Sequence, residues 1–256
     1  VLTFPLVRAA GRLVGEPLVR WWESENRPYG VRWFGPEAYR TPAPSDDVFT
    51  PSDWRQLDGR RSLLFVHGTF STSSGGFGSI PEPVMAALSR TYEGRVVALD
   101  HPSLSATPID NVAWLLDRIP ADVTLDLDVV AHSRGGLVAR VLAGGHPDAP
   151  VDPGRVRVRS VVCAGTPNYG TALADPGRLQ ALCDRVATAA NVVPGFGVGD
   201  VVDTLMLLVQ YVAQGVLGGL RGLEVMDPSS DFLAAMNRTA TEGVAYRGIA
   251  ADYEPT

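Results

Sequence analysis

The residues best placed to do chemistry lie in Val129–Arg140, which reads VVAHSRGGLVAR. An apolar run gives way to His132, Ser133, Arg134 and Gly135, and apolar residues then return at helical spacing. The segment therefore reads as a strand, a sharp turn and a helix, with a serine at the apex. A serine in such a turn is held in a strained conformation, and the residues two positions away must be small because strand and helix backbones crowd there. Ala131 and Gly135 meet that demand. The chemistry that fits is nucleophilic attack by a hydroxyl. It requires a base within hydrogen-bond reach, a carboxylate to orient that base, and N–H donors for the oxyanion that forms.

The elements that must position this serine follow from the rest of the chain. Ser62–Gly68, SLLFVHG, is a continuous apolar run with an abrupt Gly ending, the mark of a buried parallel strand. Further strands are expected at Val31–Phe34, Arg95–Asp100, Leu125–Ala131, Val156–Ala164 and Gly243–Ala250. Helices are expected at Val7–Glu23, Pro81–Tyr92, Asn111–Ile119 and Arg134–Ala143. Thr41–Asp53, rich in Pro and Asp, and the Ser- and Gly-rich Ser71–Gly78 read as loops. This alternation predicts an α/β fold, a mostly parallel central sheet flanked by helices, with Ser133 at the carboxyl end of a central strand. Residues 1–60 are expected to pack as a helix, short strand and loop on a core of residues 61–256, whose stretch at about 172–222 forms a helical, lid-like insertion.

Four stretches in order carry a resemblance to a known family: Ser62–Gly68 with Thr69, the A-x-S-x-G turn at Ser133, GTPNYGT at Gly165–Thr171, and LEVMDPSSDFLAAM at Leu223–Met236. Together they resemble α/β-hydrolases of the bacterial esterase and lipase type, with Ala131 in place of the first Gly of G-x-S-x-G and Asn168 where several members have His. The resemblance implies a serine hydrolase that transfers an acyl group from an ester to water, with Ser133 as nucleophile. It implies that the backbone N–H groups of Thr69 and Arg134 form the oxyanion hole and that His67 braces the loop. Asp227 or Ser230 is expected to cap the helix that follows. In lipase-like relatives an insertion after GTPNYGT forms a lid. The almost wholly apolar Val201–Leu220, broken by Asp203, Gln210 and Gln214, would then favour a small-molecule or lipid-like ester, although the same helix could face another domain. Domains that look like this one are often embedded in larger proteins, so a neighbouring domain is an expected partner.

The triad is where the pattern breaks. In this superfamily the order is Ser, then Asp or Glu, then His after the last strand. The four histidines are His67, His101, His132 and His146, and none follows the last expected strand. Asp252 is the candidate acid, and His101 is read as structural or substrate-lining. Two explanations stand: the final strand, acid and His lie on a complementing segment beyond residue 256, or the domain is a catalytically inactive α/β-hydrolase fold kept for binding or scaffolding.

Composition bounds these readings. The 256 residues are 45% hydrophobic and 20% charged, with a net charge of −6. Every basic residue is Arg, and none forms a basic stripe, so nucleic acid is not an expected partner. No His/Cys/Asp cluster has ligand spacing, so no metal or cofactor is implied. No signal peptide is visible and no transmembrane span is expected, because the polar breaks and glycines of 201–220 favour a buried or cap helix; a cytoplasmic location follows as the expectation. Cys163 reads as a buried free thiol. Trp21 and Trp22 are the expected docking surface.

Overall fold

The structure is a computed structural model that describes residues 17, 19–42, 49–171 and 220–250. Among the described residues six strands form one sheet in the order β1-β3-β2-β4-β5-β6. They are β1 (Gly30–Trp33), β2 (Arg61–Val66), β3 (Val96–Asp100), β4 (Leu125–His132), β5 (Val156–Ala164) and β6 (Ala245–Ile249). Only β1 runs antiparallel, with Gly30 opposite Asp100 and Trp33 opposite Val97; the remaining pairs are parallel. Seven helices carry labels: α1 (Pro51–Leu57), α2 (Ser73–Phe77), α3 (Glu82–Thr91), α4 (Pro108–Leu116), α5 (Gly135–Leu142), α6 (Arg221–Glu224) and α7 (Asp231–Arg238).

The continuous apolar runs arise because both sheet faces are covered. Along β2, Leu63 and Phe65 point into one core while Leu64 and Val66 point into the other, and β3 divides in the same way with Val96 and Ala98 against Val97 and Leu99. The first core is filled by Phe77 and Met85 from α2 and α3, the second by side chains of α1, α4, α5 and α7 such as Leu57, Leu115, Leu137 and Leu233. A sheet wrapped on both sides shows no polar alternation in its central strands. With its serine turn at the carboxyl end of a central strand, this is the α/β-hydrolase fold.

Several expectations need adjustment. The stretch read as a loop at Thr41–Asp53 ends in the start of α1. There the Thr50 side chain accepts from the Asp53 N–H and the Asp53 carboxylate accepts from the Thr50 N–H, with Pro51 in the first turn. This reciprocal cap stabilises a helix start that its Pro and Asp content disguises. Within the Ser- and Gly-rich stretch after β2, the Thr72 hydroxyl caps the short α2. Helix α4 begins three residues earlier than expected because Thr107 and Asp110 form the same kind of reciprocal cap. At the amino-terminal side, residues 19–26 are helical, and Trp22 is half-buried with the Arg27 guanidinium over its ring, so only Trp21 of that pair is exposed. The expected lid at about 172–222 lies outside the described residues apart from residues 220–222, and Asp252 lies outside them too. Among the described residues no helix is long and apolar enough to cross a membrane.

Candidate active site

Ser133 sits between β4 and α5 with φ of 51°, a left-handed conformation that costs a non-glycine residue strain. Its N–H donates to the Ala164 carbonyl at 2.7 Å, which ties the turn to the end of β5. The crowding expected around it is present. A Cβ on Gly135 would stand 2.3 Å from the Val66 carbonyl oxygen and 2.4 Å from that of His67, so only glycine lets α5 start directly over the end of β2. Ala131 is fully buried on the strand side. The Ser133 side chain is half-buried, and its hydroxyl makes no hydrogen bond among the described residues.

The His67-Gly68-Thr69 stretch lies against this serine. A Cβ on Gly68 would come within 2.8 Å of the Ser133 Cβ. Among the described residues neither the Thr69 N–H nor the Arg134 N–H donates a hydrogen bond. The loop is held from behind by His67, whose Nδ1–H donates to the Gly68 carbonyl at 2.8 Å while its Nε2 accepts from the His101 N–H at 3.1 Å. Those two bonds define the neutral, Nδ1-protonated tautomer. Burial lowers the His67 pKa, and Asp100, with its Oδ1 at 3.7 Å from Nε2, opposes that shift only in part. His67 thus braces the loop, as expected. Asp100 is itself occupied, accepting from the N–H and hydroxyl of Ser73 at the start of α2. The His101 ring stacks on His67 with centroids 4.1 Å apart. Burial, followed by the electrostatic influence of the neighbouring His67 ring and the Arg134 guanidinium, drives the His101 pKa well below the ordinary histidine value.

The Arg134 side chain has a part to play that its sequence position hid. It is fully buried, and it donates from Nε to the Gly222 carbonyl, from Nη1 to Asn111 Oδ1 and from Nη2 to the Ala106 carbonyl. Burial brings its pKa down to about 10 against the favourable charges of Glu23, Tyr29 and Asp110. Glu23, also buried, accepts from the N–H groups of Ser103, Leu104 and Ser105 and from the Ser105 hydroxyl. Together Glu23 and Arg134 grip the loop after β3 from two sides, and Gly222 of α6 packs onto that loop so closely that a Cβ would stand 2.3 Å from the Ser103 carbonyl oxygen. An unpaired buried guanidinium is expensive, and three carbonyl-type acceptors offset that cost. The sequence presents Arg134 only as a backbone donor, and Glu23 and Asn111 carry no signal in it, because a polar residue's role in bridging distant loops has no sequence spacing.

The other residues singled out are dispersed. His132 is exposed and precedes Ser133 on the strand, and His146 is buried against Phe232 with its Nδ1 accepting from the Asp148 N–H. No histidine among the described residues hydrogen-bonds Ser133. Asn168 fastens the GTPNYG loop, receiving Arg140 Nη1 on its Oδ1 and Asn237 Nδ2 on its carbonyl. Ser230 caps α7, whereas Asp227 accepts from Ser229. Cys163 is a buried free thiol, its pKa raised by burial.

A model of the family described as Domain of unknown function (DUF7379) matches residues 26–256. No curated protein matches the sequence. Among solved structures, the chain is similar to the phospholipase PlaB from Legionella pneumophila at 16% identity and a TM-score of 0.46, covering 74% of this chain and 39% of that one. It therefore spans about two fifths of the phospholipase. It is also similar to a hydrolase from Pseudomonas aeruginosa PA01, at 15% identity and a TM-score of 0.41, covering 75% of this chain and 82% of the other. The type II thioesterase BorB from the borrelidin biosynthetic cluster is similar at 13% identity and a TM-score of 0.40, with 86% of this chain and 89% of that chain covered.

Proposed function

We propose that this chain, which belongs to the DUF7379 family, is the nucleophile-bearing part of a serine hydrolase that cleaves a small or lipid-like ester. The observation that carries this reading is Ser133 itself. It is strained at φ 51°, its hydroxyl is unbonded among the described residues, and it is pressed against a loop whose Thr69 N–H, like its own neighbour Arg134 N–H, has no acceptor there. Strain and unsatisfied donors are tolerated where they serve a reaction.

In the proposed mechanism the Ser133 Oγ attacks the ester carbonyl carbon as a base removes its proton. The carbonyl oxygen becomes an oxyanion that accepts from the Thr69 and Arg134 N–H groups. Collapse expels the alcohol, which takes the proton from the base, and water then releases the acid by the reverse route. The Arg134 guanidinium serves by holding the loop after β3, and His67 by holding Gly68.

The base is a histidine on a segment complementing this chain, with Asp252 as the candidate acid. All five residues of β6 are exposed, Ile249 at 61%, whereas the central strands β2 and β3 are almost wholly buried. A further strand and helix packed there would cover that apolar surface. A second reading, an inactive domain kept for binding, is favoured by the lack of any histidine bonded to Ser133 among the described residues.

Hydrolysis of p-nitrophenyl butyrate by the full-length protein separates the two. Turnover that falls about 10³-fold or more in Ser133→Ala supports the hydrolase. Turnover unaffected by Ser133→Ala removes Ser133 from the mechanism, and a wild type with no turnover above background favours the binding domain.

A further inference from the structure

Two hydrogen bonds decide where the Thr69 N–H, one of the two donors of the proposed oxyanion hole, points. A peptide unit is flat, so pinning its carbonyl also aims the N–H on the opposite side. The Gly68 carbonyl and the Thr69 N–H share one such unit, and that carbonyl accepts from His67 Nδ1–H at 2.8 Å. The next unit joins the Thr69 carbonyl to the Phe70 N–H, which donates to the Ser103 hydroxyl at 3.1 Å. With the units on both sides pinned, the φ and ψ of Thr69 are set as well.

The second pin carries the greater strain. Phe70 has φ of 60°, a left-handed conformation that a residue with a side chain keeps only where its surroundings hold it. Ser103 is buried in the loop after β3, and that loop is itself fastened from several directions. The N–H groups of Ser103, Leu104 and Ser105 each donate to Glu23 at 2.8 Å. The Leu104 carbonyl accepts from the Gly222 N–H at 2.8 Å, and the Ala106 carbonyl accepts from the Arg134 guanidinium. The same loop also supports the first pin, because the His101 N–H donates to His67 Nε2. An acceptor mounted on so rigid a frame can hold its neighbour in a productive geometry.

We propose that Ser103 is a positioning residue of the oxyanion hole, its hydroxyl holding the Phe70 N–H and so keeping the Thr69 N–H aimed at the ester oxygen. This rests on the reading of Ser133 as a hydrolytic nucleophile. The side chain of Arg134, by holding the loop that carries Ser103, supports the Thr69 donor, while the backbone N–H of Arg134 is the other donor. Because the oxyanion exists only after attack, loss of the Ser103 hydroxyl acts on the chemical steps and spares substrate binding.

The test is steady-state hydrolysis of p-nitrophenyl butyrate by the full-length protein. Ser103→Ala is expected to lower kcat about tenfold, a part of the roughly 10²–10³-fold that loss of a whole donor costs. Acylation and deacylation both pass through an oxyanion on the same N–H groups, so KM stays within about twofold. Ser105→Ala is the matched control. It removes a hydroxyl that bonds Glu23 at 2.6 Å rather than Phe70, and the three N–H groups still hold Glu23, so kcat stays within about twofold of wild type. Circular dichroism melts verify folding. Ser103→Cys keeps the shape with a poorer acceptor, and its several-fold loss of kcat carries the test if the alanine variant does not fold. An undiminished kcat in a folded Ser103 variant, a loss confined to KM, or an equal loss in Ser105→Ala overturns the proposal while the hydrolase reading stands. A wild type without turnover, or with turnover untouched by Ser133→Ala, overturns both.

Discussion

Asp128 and Ser133 lie five positions apart along β4 and its exit, and the protein treats them in opposite ways. Asp128 is buried and saturated, accepting from Arg61 Nε at 2.6 Å, from the Tyr92 hydroxyl at 2.9 Å and from the Ser160 hydroxyl at 2.5 Å. Ser133 has its N–H fixed on Ala164 but leaves its hydroxyl with no partner among the described residues, in a backbone conformation that costs energy. One strand thus carries a polar group that knits three elements together and another held open at its tip. A closed network rigidifies, whereas an open donor or nucleophile in a strained turn is where chemistry can be asked for.

The sharpest way to test this contrast is to disturb the support beneath the tip. Arg134→Met would leave the Gly222 and Ala106 carbonyls and Asn111 Oδ1 without their donor, and a loss of about 3–5 kcal/mol is expected in urea unfolding. Next comes the saturated end: Asp128→Ala should cost about 2–3 kcal/mol, because Tyr92 and Ser160 lose their acceptor in the interior. The pH dependence follows with a definite sign. Burial alone would raise the Asp128 pKa, but hydrogen bonds from Ser160, Arg61 and Tyr92 outweigh it and hold the folded-state value below the ordinary one. The folded state therefore prefers the ionised form. Its contribution is fully present above about pH 4 and is lost as pH falls through the folded pKa, a decline that Asp128→Ala should flatten in acid titrations of stability.

The smallest effect is the most diagnostic. Ser133→Gly should raise stability by about 1 kcal/mol, since glycine adopts φ 51° without strain and no side-chain hydrogen bond is lost. A destabilised Ser133→Gly would break the comparison by showing that the hydroxyl is a structural group like Asp128.

Much of this was legible in the chain because burial writes itself as long apolar runs and close approach as small residues. Strands β2 to β5 announced themselves through covered faces, and Ala131, Gly135 and Gly68 marked the crowded turn and the loop beside it. Helix α1 was missed although its signal, Thr50-Pro51-Ser52-Asp53, is a helix start, because the surrounding Pro and Asp residues imitate a loop. Helix α2 spans only five residues, too few for any apolar period to show. The buried partnership of Glu23, Asn111 and Arg134 was out of reach for another reason. Glu23 reaches Ser105 across 82 positions of sequence and Arg134 reaches Asn111 across 23, and nothing in residue type says that an arginine after a nucleophile turns inward to bind carbonyls.

The most direct measurement is fluorophosphonate labelling of the full-length protein followed by peptide mapping. The account predicts a single adduct on Ser133, absent from Ser133→Ala. An unlabelled wild type, or an adduct at another residue that persists in Ser133→Ala, would contradict it.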